Sequence, residues 1–200
     1  MTEHYSFDQD LREAEAMVKA LENYLKGSEL YTSIGGGFLG FGNMPSLTVG
    51  ALLMRLRRLG ILRMQLTTGQ RQQLHALQQQ HKALRDEWRA HYEKKILWEA
   101  NSRLDAMRHY FTEAAQSMEL AANAYKPEQL RRTIVQDILA TMAELGIQSA
   151  ELDDKVRQTD SRLSSVASEH TGFLWDPQLE PAYPQKDYWW LYRKPRAPRF

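Results

Sequence analysis

The 200-residue chain contains no cysteine. Disulfide bridges and thiolate metal sites are therefore excluded, and this composition is typical of proteins in a reducing compartment. The first ten residues, MTEHYSFDQD, are acidic and polar, unlike a secretory signal or an arginine-rich transit peptide. We therefore expect an intracellular protein, with the cytoplasm preferred and an organelle as the alternative.

Glycine and proline are absent from residues 70–126, a run of 57 residues. Without these helix breakers, the run predicts one very long central helix over 69–123, with a length on the order of 80 Å at 1.5 Å per residue. In its second half, apolar residues recur at alternating spacings of four and three, which is the pattern of a coiled coil. These positions are Leu97, Ala100, Leu104, Met107, Phe111, Ala114, Met118, Ala121 and Tyr125.

Cap and stop residues predict four further helices, over 6–27, 46–66, 127–146 and 149–171. Ser6 is suited to cap the first helix and Gly27 to end it, while Pro127 is suited to the first turn of the helix that it opens. Residues 28–45 are predicted to form a glycine-rich loop. The fold class is therefore all-α, an elongated helical bundle or coiled coil of about five helices, with residues 1–171 as the helical domain.

Residues 172–200 hold five of the seven prolines together with many aromatic residues. Proline disfavours helix, and a disordered tail would be poor in aromatic residues, so we expect an extended C-terminal arm that packs on a surface. That surface is either the protein's own bundle or another chain. Tryptophan, tyrosine and arginine are enriched at interface hot spots, which makes Trp189, Trp190, Tyr192 and Arg193 the expected anchor for a partner.

Acidic residues are absent from 30–85, where seven basic residues occur. Arg55, Arg57, Arg58 and Arg63 could neutralise phosphates, so a helical protein that binds nucleic acid or other anions is one alternative. A second interpretation uses the same arginines within the chain. Residues 1–29 carry seven acids and three bases, and pairing of the first two helices would place Glu13, Glu15 and Glu22 near these arginines.

Residues 30–54 contain no charged residue. Six glycines and Pro45 leave too few large apolar side chains for a membrane span, but an accessory subunit of a membrane complex, with this segment close to lipid, is another alternative. The glycines at 35, 37 and 40 match G-x-G-x-x-G without the surrounding strand and helix that a nucleotide site needs. Phe38 and Phe41 are instead expected to contact a partner.

Catalytic and metal-binding patterns are missing as well. The histidines of the predicted long helix form neither HExxH nor the Glu-x-x-His pairs of di-iron bundles. We therefore expect no enzyme activity, no metal and no cofactor. The sequence is best interpreted as a non-catalytic structural or accessory subunit, a scaffold that contacts other protein chains, in a large multisubunit complex, through coiled-coil packing and its docking arm.

Overall fold

A computed structural model describes residues 4–34, 44–114, 118–170 and 172–195, with the backbone alone for 113–114 and 118–124. The described chain is predominantly helical, which confirms that part of the prediction, but it also contains a small antiparallel sheet that an all-α class does not include. The α-helices are α1 (Phe7–Lys26), α2 (Val49–Ile61), α3 (Thr68–Glu87), α4 (Arg89–Ala114), α5 (Met118–Leu145) and α6 (Ala150–Val166), and the strands are β1 (Ala167–Glu169) and β2 (Arg193–Pro195).

Contacts between residues group the chain into two compact units. The N-terminal unit is His4–Glu99, and the C-terminal unit contains the described residues from Ala100 onward. The boundary falls inside α4. Residues of the predicted arm belong to the same unit as α5 and α6.

Helix α1 follows its sequence signals closely. The Ser6 side chain accepts a hydrogen bond from the Gln9 backbone N–H at 3.3 Å, and the Gly27 N–H donates to two carbonyls of the last turn. The helix buries its apolar stripe against α2 and α3. The buried stripe consists of Leu11, Ala14, Met17, Val18, Leu21 and Leu25.

Helix α2 is shorter than the predicted 46–66. Thr48, rather than Ser46, caps it, because Leu47 pairs with Thr32 in an isolated antiparallel bridge that closes the base of the glycine-rich loop. The helix ends at Ile61, and a single 3₁₀ turn, Arg63–Gln65, leads towards α3. We call the segment 61–66 the α2–α3 corner.

The single helix predicted over 69–123 is wrong, because the helix is interrupted at Trp88, whose φ and ψ are −104° and 34°. A direct contact across the interruption shows why. The Nε2 atom of His81 lies 3.0 Å from the Tyr92 hydroxyl oxygen, although these residues would be separated by about 16 Å along a straight helix. Burial of Tyr92 and Ile96 in the N-terminal unit therefore bends the chain.

The prediction that a helix begins at Pro127 is also wrong, since Pro127 lies inside α5. Proline removes one hydrogen bond from the helix ladder, a cost that packing on both sides must offset. Tyr125 and Gln129 flank this position, and both donate hydrogen bonds to the Trp190 carbonyl of the arm, at 3.4 and 2.9 Å.

The arm is not simply extended. Helix α6 stops at Val166 instead of continuing to 171, because β1 pairs antiparallel with β2, with Ser168 opposite Lys194. Two 3₁₀ helices, Pro177–Ala182 and Trp189–Tyr192, precede β2. The prolines therefore exclude α-helix from this segment but permit short 3₁₀ turns that fold it onto α5.

Candidate interaction sites

Two of the four arm residues predicted to anchor a partner are buried in the chain's own fold. Trp190 is 1% exposed and Tyr192 is 8% exposed. The Trp190 indole N–H donates to the Thr133 hydroxyl at 2.9 Å, and the Tyr192 hydroxyl donates to the Tyr183 carbonyl at 2.9 Å. The sequence left open whether the arm packs on its own bundle or on another chain. Trp190 and Tyr192 pack on the chain's own C-terminal unit.

Trp190 lies at one end of an aromatic cluster, next to Tyr188, and the ring centroids of the cluster are 5.0–6.5 Å apart in mostly edge-on arrangements. Such pairs favour geometries in which the positive edge of one ring meets the negative face of another. The cluster is joined to α5 because the Tyr188 hydroxyl donates to Asp137 at 2.7 Å. Its members are Phe173, Trp175, Tyr183, Tyr188, Trp190 and Tyr192.

Trp189 and Arg193 are half-buried. The Arg193 guanidinium lies 4.9 Å from the centre of the Trp189 ring, and its Nη1 donates to the Ser164 hydroxyl at 3.1 Å. These contacts fix both side chains on the C-terminal unit while leaving part of each accessible. Their role in binding a partner stays a prediction.

The four arginines predicted to contact anions separate into two groups. Arg55 is buried and donates to Glu13 of α1 through Nε and Nη2, at 2.8 and 2.6 Å. Arg58 forms a two-point ion pair with Asp10, also on α1. The pairing of α1 with α2 therefore uses these two arginines, although the partners are Asp10 and Glu13 rather than Glu15 or Glu22.

The other two arginines, Arg57 and Arg63, differ in exposure. Arg57 is half-buried, whereas Arg63 is exposed and has no hydrogen bond or ion pair to any residue in the described part of the chain. Arg55 and Arg58 are therefore not available to the basic surface that nucleic-acid binding would need.

Arg63 borders a cleft of about 300 Å³ in the N-terminal unit. Arg71 and His75, one helical turn apart on α3, share its wall with Gln78, and Leu74 forms an apolar surface. No carboxylate lines this cleft among the residues that the structure describes. We call it the basic cleft; its residues are Gly60, Arg63, Arg71, Leu74, His75 and Gln78.

Beside the basic cleft, the α2–α3 corner exposes two large apolar side chains. Ile61 is 45% exposed and Met64 is 79% exposed, whereas Leu62 and Leu66 of the same segment are buried. The buried leucines hold the corner against the unit, so that Ile61 and Met64 present apolar surface to solvent.

One buried ionisable group lies in the core of the N-terminal unit. Burial lowers the pKa of His81 from 6.5 to about 4, and the charge of Arg85 adds to this effect, while Asp86 opposes it. The imidazole is therefore neutral near pH 7 and uses Nε2 for its contact with Tyr92.

A buried carboxyl group occupies the C-terminal unit. Burial raises the pKa of Glu128 from 4.5 to about 7, against the opposing charge of Arg131, which bonds to Oε1. Oε2 has no hydrogen-bond partner within the described ranges. The charge of Glu128 adds to the effect of burial in raising the pKa of Tyr110 to about 12.

Phe38 and Phe41 lie outside the described residues, so their predicted contact with a partner stays a prediction. No described helix combines the length and the apolar character needed to cross a membrane. Within 4–34, 44–114, 118–170 and 172–195, no three histidine, aspartate or glutamate residues are grouped so that they could hold a metal ion.

The sequence reasoning missed the basic cleft and the exposed corner. Arg71, His75 and Gln78 have the i, i+4, i+7 spacing of one helix face, in a segment that lacks acids, and this spacing was a usable signal. Exposure of Ile61 and Met64 had no such signal, because the leucine pattern of α2 continues without change through this segment.

Comparison with known proteins adds no assignment, since no family model, curated protein or solved structure matches this chain.

Proposed function

We propose that this chain is a non-catalytic structural or accessory subunit that works by contact with other protein chains. The observation that carries the proposal is the α2–α3 corner, where Ile61 and Met64 are exposed on a segment held in place by buried Leu62 and Leu66. Because the buried leucines already hold the backbone of this segment, a partner that covers Ile61 and Met64 has to order only their side chains.

The charge around the corner supports an acidic partner surface. Arg63 projects from the 3₁₀ turn of the corner, and Arg71 lies one segment further on, both exposed. A patch with apolar side chains at its centre and cations at its border has the composition of a protein interface with a polar rim. A partner with acidic residues around an apolar spot would complement it.

The finer elements of the proposal are the coiled-coil packing, the elongated form and the docking arm. Ala100, Leu104, Met107 and Phe111 of the heptad pattern are buried, which supports a packing role for this face. Leu104 and Phe111 border a small cavity together with Thr159 of α6, so the unit itself already covers part of the face. Trp189 and Arg193 supply the accessible part of the arm.

The proposal is tested by purifying the tagged full-length chain from its native source and identifying the proteins that co-purify in stoichiometric amount. Ile61→Glu/Met64→Glu should abolish the co-purification while the chain stays folded, because both side chains are exposed. Leu130→Glu is the matched control, since Leu130 is 41% exposed in the other unit. Equal recovery of partners with both variants, or co-purification of nucleic acid alone, would contradict the proposal.

A further inference from the structure

The basic cleft shares Arg63 with the α2–α3 corner and has, in addition, the properties of a small-ligand site. Its volume of about 300 Å³ lies at the lower end of the range for small-molecule sites in proteins. Three of its polar side chains, those of Arg63, His75 and Gln78, make no hydrogen bond or ion pair with any described residue. We propose that the basic cleft binds a small phosphate-bearing molecule through Arg63, Arg71 and His75.

The charge of the cleft favours a dianion. Arg63 and Arg71 contribute two permanent positive charges, and the described lining contains no acid that could neutralise them. The acidic helix α1 bonds instead to other positions of α3. Asp8 accepts from Gln70 at 2.7 Å, and Glu15 accepts from Gln73 at 3.0 Å.

The donors are held for a ligand with several acceptor atoms. Arg71 is oriented by two hydrogen bonds, from Nη1 to the Leu66 carbonyl at 2.7 Å and from Nη2 to the Thr68 hydroxyl at 3.1 Å, which leave other guanidinium N–H groups unused. His75 stands one turn along the same helix face, and Arg63 comes from a different element. Donors from two elements suit a tetrahedral phosphate better than a planar carboxylate, which a single guanidinium can satisfy.

The remaining lining residues suit a compact ligand. Leu74 offers an apolar surface, Gln78 offers an amide donor and acceptor, and Gly60 adds no side chain to the cleft. Nucleic acid would need a longer basic surface, and Arg55 and Arg58, which could have extended it, are paired with Glu13 and Asp10.

The experiment is a titration of the full-length chain with inorganic pyrophosphate at low ionic strength, followed by amide NMR shifts. We expect saturable shifts at Gly60, Leu74 and Gln78. Arg63→Gln should weaken binding about tenfold, as expected for loss of one charge-assisted contact. This variant removes a side chain without internal partners, so it should keep the fold. Arg12→Gln, which removes another exposed charge, on α1, should change the affinity by less than about twofold.

Three results would overturn the proposal. One is the absence of saturable shifts at the cleft with pyrophosphate. Another is equal weakening by Arg63→Gln and Arg12→Gln, which would indicate attraction to overall charge only. The third is tighter binding of citrate or of a short oligothymidine than of pyrophosphate, which would assign the cleft to carboxylates or to nucleic acid.

His75→Gln should weaken pyrophosphate binding less than Arg63→Gln, since it removes no permanent charge.

Discussion

Each unit pairs a buried arginine with a carboxylate of another helix, but burial shifts the pKa of a base, His81, in the N-terminal unit and of an acid, Glu128, in the C-terminal unit. In the N-terminal unit, cations of α2 meet carboxylates of α1, as in the Arg55–Glu13 ion pair with 2.6 Å between Nη2 and Oε2. In the C-terminal unit, Arg132 pairs with Asp160 at 2.6 Å but also lies 4.2 Å from the centre of the Trp190 ring. Glu128 is buried there with one oxygen unpartnered in the described structure.

The difference shows that burial has opposite consequences for a base and an acid. His81 in the N-terminal unit is kept neutral by a lowered pKa, whereas Glu128 in the C-terminal unit resists ionisation through a raised pKa. Lowering the pH therefore destabilises the N-terminal unit through His81, and raising the pH destabilises the C-terminal unit through Glu128.

Trp190→Ala should have the largest effect, a loss of about 4 kcal/mol in the free energy of unfolding, because it removes a large, fully buried ring, the hydrogen bond to the Thr133 hydroxyl and the contact with the Arg132 guanidinium. Urea denaturation measures the loss. Trp189→Ala is the control, since Trp189 is only half-buried. A similar loss for both variants would show that the burial of Trp190 is not the source of the stability.

Arg55→Met should cost about 3 kcal/mol, because Glu13 would stay buried without its cation. Adding Glu13→Leu should recover more than half of this loss, since the double variant removes both charges. Equilibrium unfolding of the wild type, both single variants and the double variant gives the coupling free energy. If the losses of unfolding free energy in the two single variants simply add in the double variant, the two side chains are not coupled.

Acid should destabilise the N-terminal unit through His81. The folded pKa of about 4 lies below the ordinary value of 6.5, so stability is complete above pH 6.5, falls as the pH drops towards 4, and is then fully lost for this group. The loss is roughly 2 to 3 kcal/mol. His81→Gln should flatten this part of the stability profile, and an unchanged slope between wild type and variant would assign acid sensitivity elsewhere.

Rising pH should destabilise the C-terminal unit through Glu128. Its folded pKa of about 7 exceeds the ordinary 4.5, so the full contribution is present below pH 4.5 and is lost as the pH rises through 7. Glu128→Gln should therefore raise stability at pH 8 by about 2 kcal/mol and leave it nearly unchanged at pH 4. Thermal unfolding at both pH values tests this, and lower stability of the variant at pH 8 would contradict it.

The smallest effects should come from one glycine in each unit, with opposite signs. Gly60→Ala should stabilise the chain by about 0.5–1 kcal/mol through helix propensity, since a Cβ there meets only the Gln78 side-chain amide at 3.4 Å. Gly146→Ala should destabilise it by about 1 kcal/mol, because Gly146 has a φ of 71° at the end of α5. Melting temperatures measure both, and shifts of the same sign would refute the contrast.

Local signals in the sequence located several helix ends. Ser6 caps α1 and Gly27 ends it, as predicted, and Gly146 after α5 and the Ser149 cap of α6 agree with the predicted helix bounds at 146 and 149, because caps and glycine stops act over three or four residues. The apolar stripe of α1 was equally readable. Position alone, however, could not show that Pro127 would be tolerated inside a helix.

The candidate sites depended on partners distant in sequence. Arg55 and Arg63 look alike in the chain, but α1 neutralises the first, 42 residues away, and leaves the second to border the basic cleft. Likewise, tryptophan is common at interfaces, but Trp190 is buried and donates a hydrogen bond to Thr133, 57 residues earlier in the chain.

Local features of the sequence explain the mainly helical content, the two ends of α1 and the exclusion of α-helix from the arm, because propensity, capping and proline geometry act over a few residues. The interruption at Trp88, the burial of Trp190 and the difference between Arg55 and Arg63 arise instead from tertiary contacts. Each of these depends on which side chains meet across the fold, where burial and ion pairing outweigh local preference.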